Sequence, residues 1–279
     1  MLAAAGRPVY REYAPSAALA QVVQCYWTID SSNLQSPVLN RVPPDGCADL
    51  LFRLEGAVAI AGAAGTPERS RTVVVGTMRR AVVVPLTGTT RLFGVRFRPG
   101  AAHPLLGVGL AQLTDAAVPL EEVWGGVGAR LEASVEEAEA TPERIRRVEQ
   151  ILTERAGRAR PLHPGVLGAL RALHAARGAG RVDGIAPGPI GARQLERRFR
   201  EAVGISPKRL ARVLRLQHAI ALLRHRPPLS WSALALAAGY YDQAHLIRDF
   251  RALVGLTPLR YAREAAGVGF VQDGSVAAR

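Results

Sequence analysis

The sequence predicts an α+β protein of two parts. A β-rich sandwich or partly closed barrel with trailing helices comes first, and an all-α part of two helix-turn-helix units joined by a long helix follows. Three observations lead to this prediction: strand-like segments run from Val9 to about Phe97, an 18-residue segment recurs 51 residues later, and the positive charge lies in the second part. With 279 residues, 48% of them hydrophobic, the chain can bury two domain-sized cores.

Short strands account for the first hundred or so residues. Val, Leu, Thr and aromatic residues dominate each candidate strand, and Gly, Pro, Asp and Ser separate one candidate from the next. The candidates are residues 21–29, 48–54, 57–61, 72–75, 82–85 and 90–97. Residues 43–46, with the sequence PPDG, mark a tight turn before the second of them. Strands of this length and spacing are typical of a sandwich or a partly closed barrel.

Helices are predicted from Ala101 onward. Residues 120–131 and 142–156 are the candidates, and Thr141 is expected to cap the second, with Pro142 at its first position. One apolar stripe runs along this second helix, formed by Ile145, Val148, Ile151 and Leu152. Such a stripe indicates the core of the first part, and a dimer seam is the alternative.

An internal repeat dominates the second part of the chain. Residues 195–212 align with residues 246–263, and ten of the 18 positions are identical. The residues whose identical mate lies 51 positions later are Leu195, Arg197, Phe199, Arg200, Val203, Gly204, Pro207, Arg209, Ala211 and Arg212. Ser206 and Thr257 also correspond, and each places a capping hydroxyl before a helix that starts with proline. The repeat predicts two copies of one supersecondary unit.

The second copy has the pattern of a helix-turn-helix. A support helix starts at Trp231, a turn follows at residues 239–241, and a second helix starts after Asp242, whose carboxylate can cap it. The predicted buried face of that helix is formed by Leu246, Phe250 and Leu253. The opposite face carries Ala244, Arg248 and Arg251, with His245 beside them. A cationic, hydrogen-bonding face of this kind suits the major groove of DNA.

The charge is divided unevenly between the two parts. Residues 1–157 hold 16 Arg against 16 Asp and Glu, whereas residues 158–279 hold 20 Lys and Arg against 7 Asp and Glu, a net charge of +13. An arginine bias of the genome would act on both parts alike. A strongly basic segment attached to a neutral one therefore indicates that the second part binds a polyanion.

Residues from about 161 to 264 resemble the DNA-binding domain of the AraC/XylS family of bacterial transcription regulators. The resemblance rests on the two helix-turn-helix units, the Gly-x-Ser/Thr-Pro step after each, and residues 212–217 (RVLRLQ), which open the long helix between them. It implies two recognition helices that enter successive major-groove segments on one face of the DNA. By the family's pattern the base-contacting residues are Arg193, Gln194 and Arg197 in the first unit and Gln243, His245 and Arg248 in the second.

Phosphate contacts are expected from cations and from capped helix N-termini. The candidates are Arg200, Ser206, Lys208, Arg212, Arg251, Thr257 and Arg260. In the first unit Gly184, Pro187 and Pro189 lie where the support helix belongs, and both residue types destabilise a helix interior. We therefore predict that the second unit supplies more of the sequence discrimination and the first unit more of the general affinity.

The first part resembles the sensor domain of a subgroup of the same regulators. The similar residues are Tyr26-Trp27, residues 44–52 and residues 94–100. Family precedent is a β-rich, cupin-like sensor that binds a small molecule, dimerises, or both. The candidate effector contacts are Trp27, Asp45, Asp49 and Arg96. Arg96 and Arg98 share one strand face, for which a solvated surface is the simpler interpretation and an anion site the alternative.

No metal or other cofactor is predicted, because a cupin metal site needs clustered ligands and His103 is the only histidine of residues 1–157. Residues 1–6 are not expected to act as a signal peptide, and no run of about 18 apolar residues suggests a membrane helix. A cytoplasmic protein without a membrane partner is expected. The predicted organisation is a regulatory or dimerisation domain (residues 1–157), a linker (158–164), the DNA-binding domain (165–266) and a disordered tail (267–279).

These observations predict a sequence-specific transcription regulator that is not an enzyme. Its partner is double-stranded DNA, and RNA polymerase, a small-molecule effector and a second copy of the chain are further candidates. Two alternatives stay open. Cys47 could be the nucleophile of a DNA-binding alkyl acceptor, although such a thiol needs an activating base or cation and Cys25 and Cys47 otherwise suit small apolar strand positions. The other alternative is a nucleoid protein without sequence preference.

Overall fold

The computed structural model describes residues 8–56, 70–179, 190–225 and 230–268. The strands of these ranges are β1 (Val9–Tyr13), β2 (Val23–Val42), β3 (Asp49–Glu55), β4 (Thr72–Val75), β5 (Val82–Phe97) and β6 (Ala117–Pro119). The helices are α1 (Ala102–Leu106), α2 (Leu110–Leu113), α3 (Leu120–Trp124), α4 (Gly126–Glu137), α5 (Thr141–Arg158), α6 (Pro164–Ala175), α7 (Ala192–Val203), α8 (Pro207–His225), α9 (Trp231–Ala237), α10 (Gln243–Val254) and α11 (Pro258–Val268). The predicted order of a β-rich part followed by a helical part is confirmed.

The six strands form one antiparallel sheet in the order β1-β2-β5-β3-β4-β6. The prediction of separate strands at residues 82–85 and 90–97 is wrong, because both belong to β5, and β2 continues well beyond residue 29. Register shifts between Ser31 and Val38, together with a left-handed Gly88 opposite Leu34, let the β2–β5 ribbon continue where proline and glycine suggested breaks. The candidate strand 57–61 lies outside the described residues.

Each face of the sheet is apolar and contributes to a different core. Because strand side chains alternate, Tyr26 and Leu50 pack with helices α1–α5, whereas Trp27 and Leu51 pack on the other face. The far end of the β2–β5 ribbon contributes Leu86 to this second cluster. The ribbon therefore bends over its own sheet.

The trailing helices differ from the prediction at two points. Residues 120–131 do not form one helix, because Gly125 has φ 57° and ψ −140° and separates α3 from α4. That conformation is open to glycine and strained for other residues. The prediction that Thr141 caps α5 is also wrong: Ala140 is the N-cap, Thr141 is the first helical residue, and no side chain caps this helix end. Pro142 does lie in the first turn, as expected.

The second part has two cores that share one helix. Helices α6 and α7 and the start of α8, with Leu210 and Val213, form the first core. The rest of α8, with Leu216 and Ile220, packs with α9, α10 and α11 in the second. The long helix between the two units is confirmed. The expected first support helix falls on residues 180–189, which the structure does not describe.

Within the described ranges, no helix is long and apolar enough to span a membrane. No group of three His, Cys, Asp or Glu side chains in those ranges could hold a metal ion. His103 lies in α1, and its Nδ1 is 2.9 Å from the carbonyl oxygen of Val108.

The apolar stripe of α5 packs into the core of the first part. Val148 and Leu152 are fully buried, and Ile145 and Ile151 pack against the same core. We expect Leu152→Ala to lower the free energy of unfolding by about 2–5 kcal/mol, because it removes buried contacts and leaves a cavity. Urea unfolding measures the change. Thr153→Ala, at an exposed neighbouring position, is the control, and equal stability of the two variants would contradict the assignment.

Candidate nucleic-acid interface

Helices α7 and α10 occupy equivalent positions in the repeat. Both have 12 residues, and α10 begins and ends 51 residues after α7. Each ends at a glycine in the left-handed region, with φ of 89° at Gly204 and 80° at Gly255. The amides of these glycines donate to the carbonyls of Arg200 and Arg251, a common way to end a helix. The sequence repeat is therefore also a structural repeat.

The helix that follows starts in the same way in both units. The amide of Arg209 donates to Ser206 Oγ over 3.3 Å, and the amide of Arg260 donates to Thr257 Oγ1 over 3.3 Å. Both hydroxyls are thus the N-caps that the sequence predicted. A phosphate contact at these helix N-termini stays a prediction.

The predicted contacts of α7 lie on the side away from its core. Arg193, Arg197 and Arg200 are exposed, and Gln194 is half-buried. Arg200 Nη2 lies 2.7 Å from Glu196 Oε1, and both side chains are solvated. Because an exposed pair of this kind contributes little, Arg200 stays available to a stronger anion.

The predicted base contacts of α10 are more firmly held by their neighbours. Arg248 is exposed, whereas Gln243 and His245 are half-buried. Gln243 Oε1 accepts from Ser232 Oγ over 3.3 Å, and the His245 ring lies edge-on to Tyr240 with the ring centres 5.1 Å apart. These contacts restrict the directions in which the two side chains can point.

The start of each recognition helix is stabilised differently. The amide of His245 donates to Asp242 Oδ1 over 2.6 Å, so Asp242 caps α10 as predicted. The support helix α9 is capped in turn by Ser230, whose Oγ accepts from the amide of Ala233. Gly191 stands at the N-cap of α7 and has no side chain to contribute. The second unit is therefore the better capped of the two.

The phosphate candidates fall into two groups. Lys208, Arg251 and Arg260 are exposed cations. Arg212 instead donates from Nε and Nη2 to Asp249 Oδ1, over 3.1 and 2.7 Å. Asp249 is 4% exposed, so this ion pair joins the long helix α8 to the inner side of α10. Arg212 holds the two helices together, and a phosphate contact would compete with Asp249 for its donors.

The first part contacts the C-terminal end of α7. Residues 76–81, the bridging loop, connect β4 to β5. Thr77 Oγ1 in this loop donates to the carbonyl of Val203 over 2.7 Å, and Thr114 Oγ1 donates to the carbonyl of Gly204 over 2.8 Å. The last carbonyls of a helix have no partner within the helix, so these hydroxyls satisfy groups that would otherwise be buried unpaired.

The same loop reaches the C-terminal end of α10. The amide of Ala81 donates to the carbonyl of Leu253 over 2.7 Å. Arg41, from β2, donates to the carbonyl of Val254 over 3.2 Å and pairs with Glu264 at 2.7 Å. Val254 is the repeat mate of Val203, so the first part binds equivalent carbonyls of both recognition helices. The first part therefore contacts the C-terminal ends of both recognition helices.

Trp27, Asp45, Asp49 and Arg96, the four predicted effector contacts, come together inside the bent sheet. Arg96 Nε lies 3.1 Å from Asp45 Oδ2, and its Nη2 lies 3.2 Å from Asp49 Oδ1. The Trp27 indole donates to Asp49 Oδ1 over 2.9 Å. Although burial lowers the pKa of Arg96, the two carboxylates hold that pKa well above its ordinary value. The charged groups of the cluster are thus paired with one another.

The expectation of a solvated strand face at Arg96 and Arg98 is wrong for Arg96, which is 4% exposed. β5 faces a bent ribbon on that side, so the arginine is enclosed with two aspartates and not turned to water. Arg98 follows the end of β5 and is exposed, and its Nε donates to the carbonyl of Ala20 over 2.7 Å.

Cys47 has the surroundings of a structural thiol. It is 4% exposed, and its Sγ lies 3.3 Å from Gln24 Oε1. Burial, and then the charge of Asp45, raise the pKa of the Cys47 thiol well above its ordinary value. Burial also raises the pKa of Cys25, to about 12. A nucleophilic cysteine needs the opposite change in its pKa.

Comparison with known families agrees with this geometry. Residues 189–264 match a helix-turn-helix domain family. The second part is an AraC-type helix-turn-helix domain. The chain is accordingly a DNA-binding transcription regulator. Residues 11–119, in front of the AraC-type domain, match a domain family of unknown function, DUF6597.

Solved structures similar to this chain include several of ToxT from Vibrio cholerae. The 1.65 Å structure has 10% sequence identity and a TM-score of 0.44, covering 92% of this chain and 98% of ToxT. Wild-type ToxT with a bound unsaturated fatty acid has 10% identity and a TM-score of 0.44, covering 96% of this chain and 99% of ToxT. No curated protein shows significant sequence similarity to the chain.

Sequence reasoning missed Asp249 and the bridging loop. The sequence contains a feature that could have identified Asp249. Its repeat mate is Arg198, and a reversed charge in an otherwise similar repeat indicates a partner within the protein. The bridging loop has no such feature. Its sequence, GTMRRA, has no turn pattern that points to the AraC-type domain, and its contacts depend on how the two parts pack.

The Arg212–Asp249 pair yields a stability prediction. We expect Arg212→Ala to lower the free energy of unfolding by roughly 2–3 kcal/mol, because it leaves the Asp249 carboxylate buried without its cation; Arg212 is about one-third exposed, which keeps the loss below that of a fully buried pair. Urea unfolding of the full chain measures the change.

Lys208→Ala is the matched control, since it removes an exposed cation of α8 and should change stability by less than about 0.5 kcal/mol. The double variant Arg212→Ala/Asp249→Ala should be less destabilised than the sum of the single variants. Strict additivity, or equal effects of Arg212→Ala and Lys208→Ala, would contradict the assignment of Arg212 to an internal ion pair.

Proposed function

We propose that the chain regulates transcription by reading two successive major-groove segments of double-stranded DNA with α7 and α10, while its first part sets the distance between them. The observation that carries this proposal is the pair of contacts at Val203 and Val254, where residues of the first part bind equivalent carbonyls of both recognition helices. A protein that reads two sites on one DNA face needs its reading helices at a fixed separation.

The base contacts we propose are Arg193, Gln194 and Arg197 on α7 and Gln243, His245 and Arg248 on α10. The phosphate contacts are Arg200, Lys208, Arg251 and Arg260, with the helix N-termini at Ser206 and Thr257. Arg212 remains a proposed phosphate contact only through the guanidinium nitrogen that does not donate to Asp249. The net charge of +13 in residues 158–279 supports binding that weakens strongly with salt.

The division of labour follows from how the parts pack. Residues 1–157 would form the regulatory domain, residues 158–164 the linker and residues 165–266 the DNA-binding domain. A regulator of this kind works in the cytoplasm on the nucleoid, with RNA polymerase, a small-molecule effector or a second copy of the chain as further partners. The alkyl-acceptor alternative gains no support from Cys47, whose thiol is buried with a raised pKa.

Binding-site selection from random DNA tests the proposal. A preferred sequence should emerge, and Arg248→Ala should relax it at one or two base pairs, because a bidentate base contact is worth about 1–3 kcal/mol. Arg193→Ala should lower affinity for all sequences more evenly, since the uncapped α7 positions its side chains less firmly. Affinities are measured at several salt concentrations.

Arg130→Ala, an exposed arginine of α4 in the first part, should change neither affinity nor preference. If Arg193→Ala altered the selected sequence and Arg248→Ala did not, the ranking of the two units would be reversed. If the wild-type chain selected no sequence at all, the nucleoid-protein alternative would replace the regulator.

A further inference from the structure

A cleft of about 960 Å³ lies where the two parts of the chain meet. One wall is formed by the start of β2 and by residues 98–105, between β5 and the end of α1. The end of α5 and residues 159–162 form the base, and α6 of the AraC-type domain forms the opposite wall. A molecule bound there would contact both parts at once.

The ionisable side chains of this cleft are all basic. Arg98, Arg160, Arg171 and His174 line it, and no aspartate or glutamate is among the described residues that do so. Partial desolvation, and then the charge of Arg98, lower the pKa of His174. An anion in the cleft would accept hydrogen bonds from the guanidinium groups.

The remaining surface of the cleft is largely apolar. The apolar side chains are Val22 and Leu105 of the first part, Leu162 of the segment between α5 and α6, and Leu167 and Leu170 of α6. Water is a poor partner for such a surface, whereas a hydrocarbon body would bury it favourably. The cleft thus combines the features of a small-molecule site, an apolar wall and a few converging polar groups.

The cleft adjoins the first recognition helix. Gly100, with φ 82°, lies at the turn after β5, and a Cβ there would come within 2.9 Å of Leu170 Cδ1 and 3.6 Å of Val203 Cγ2. Leu170 and Val203 belong to one core, and the Val203 carbonyl accepts from Thr77. A ligand that moved α6 would therefore act on the end of α7 that the bridging loop holds.

We propose that this cleft binds an amphipathic organic anion, a carboxylate or phosphate on an apolar body, and that the bound anion alters DNA binding. The head would lie among Arg98, Arg160 and Arg171, and the body on Leu162, Leu167 and Leu170. This site is separate from the Arg96 cluster, whose charges are paired internally. The effect on DNA rests on the proposed function, whereas binding of the anion does not.

Calorimetric titration of the full chain tests the binding step with four probes that share one tail. Octanoate and octyl phosphate carry an anionic head, octan-1-ol a neutral head and octylammonium a cationic head. The two anions should bind saturably near one per chain, and the other two at least about ten-fold more weakly. Acetate and phosphate, which lack the tail, should not saturate the site in the same range. Equal binding of all four probes, or no saturable binding of either anion, would overturn the proposal.

Two exposed arginines of the cleft supply the variants. Arg160→Ala and Arg171→Ala should each weaken octanoate binding by about three- to five-fold, the effect of one solvated ion pair, and the double variant by more. Arg130→Ala, on α4 outside the cleft, should leave it unchanged. Octanoate affinity that is insensitive to both cleft arginines would place the anion elsewhere and refute the site.

The DNA effect is measured on the sequence that binding-site selection identifies. Saturating octanoate should change DNA affinity at least about three-fold in the wild type and not in the Arg160→Ala/Arg171→Ala variant at the same concentration. Anion binding without that change would overturn the regulatory half of the proposal. If the chain bound no specific DNA, the proposed function would fail, and the calorimetric titration would still decide whether the cleft is an anion site.

Discussion

The hydrogen bonds at the C-terminal ends of α7 and α10 are the contacts on which the arrangement of this protein depends. Thr77 and Ala81, only four residues apart in the bridging loop, donate to Val203 and Leu253 at the ends of the two recognition helices. Asp115 holds this loop from behind by accepting from the Arg79 amide over 2.6 Å. The last carbonyls of a helix need hydrogen-bond donors from outside that helix. The bridging loop supplies such donors and therefore contributes to the stability of the DNA-binding domain.

This support explains how a repeat with unequal halves can act as one reading surface. Helix α8 passes through both cores of the AraC-type domain, and its Arg212 is paired with Asp249 of α10. Unit two has the capped helices, and unit one has the denser row of exposed arginines. Because the first part binds the C-terminal ends of both recognition helices, a shift of the first part would move the two helices together or change the distance between them.

The repeat made most of the second part predictable, because its side-chain pattern is local. Ser206 and Asp242 act through hydrogen bonds to residues within four positions, and each caps its helix as expected. Arg96 and the bridging loop were beyond such reasoning, since the burial of one and the contacts of the other arise from packing between distant segments. Thr141 fits the local pattern of a cap, yet Ala140 is the N-cap, so even local patterns depend on where the backbone turns.

In this arrangement the first part is expected to fix the separation of the two recognition helices. Spin labels at Glu196→Cys on α7 and Ala252→Cys on α10, both exposed positions, allow that separation to be measured in the full chain by pulsed electron–electron double resonance. The native Cys25 and Cys47 are buried. We expect one narrow distance distribution, broadened by Thr77→Val/Arg41→Ala and left unchanged by the exposed control Thr87→Val. An equally narrow, unshifted distribution in Thr77→Val/Arg41→Ala would show that the AraC-type domain fixes its own geometry without the first part.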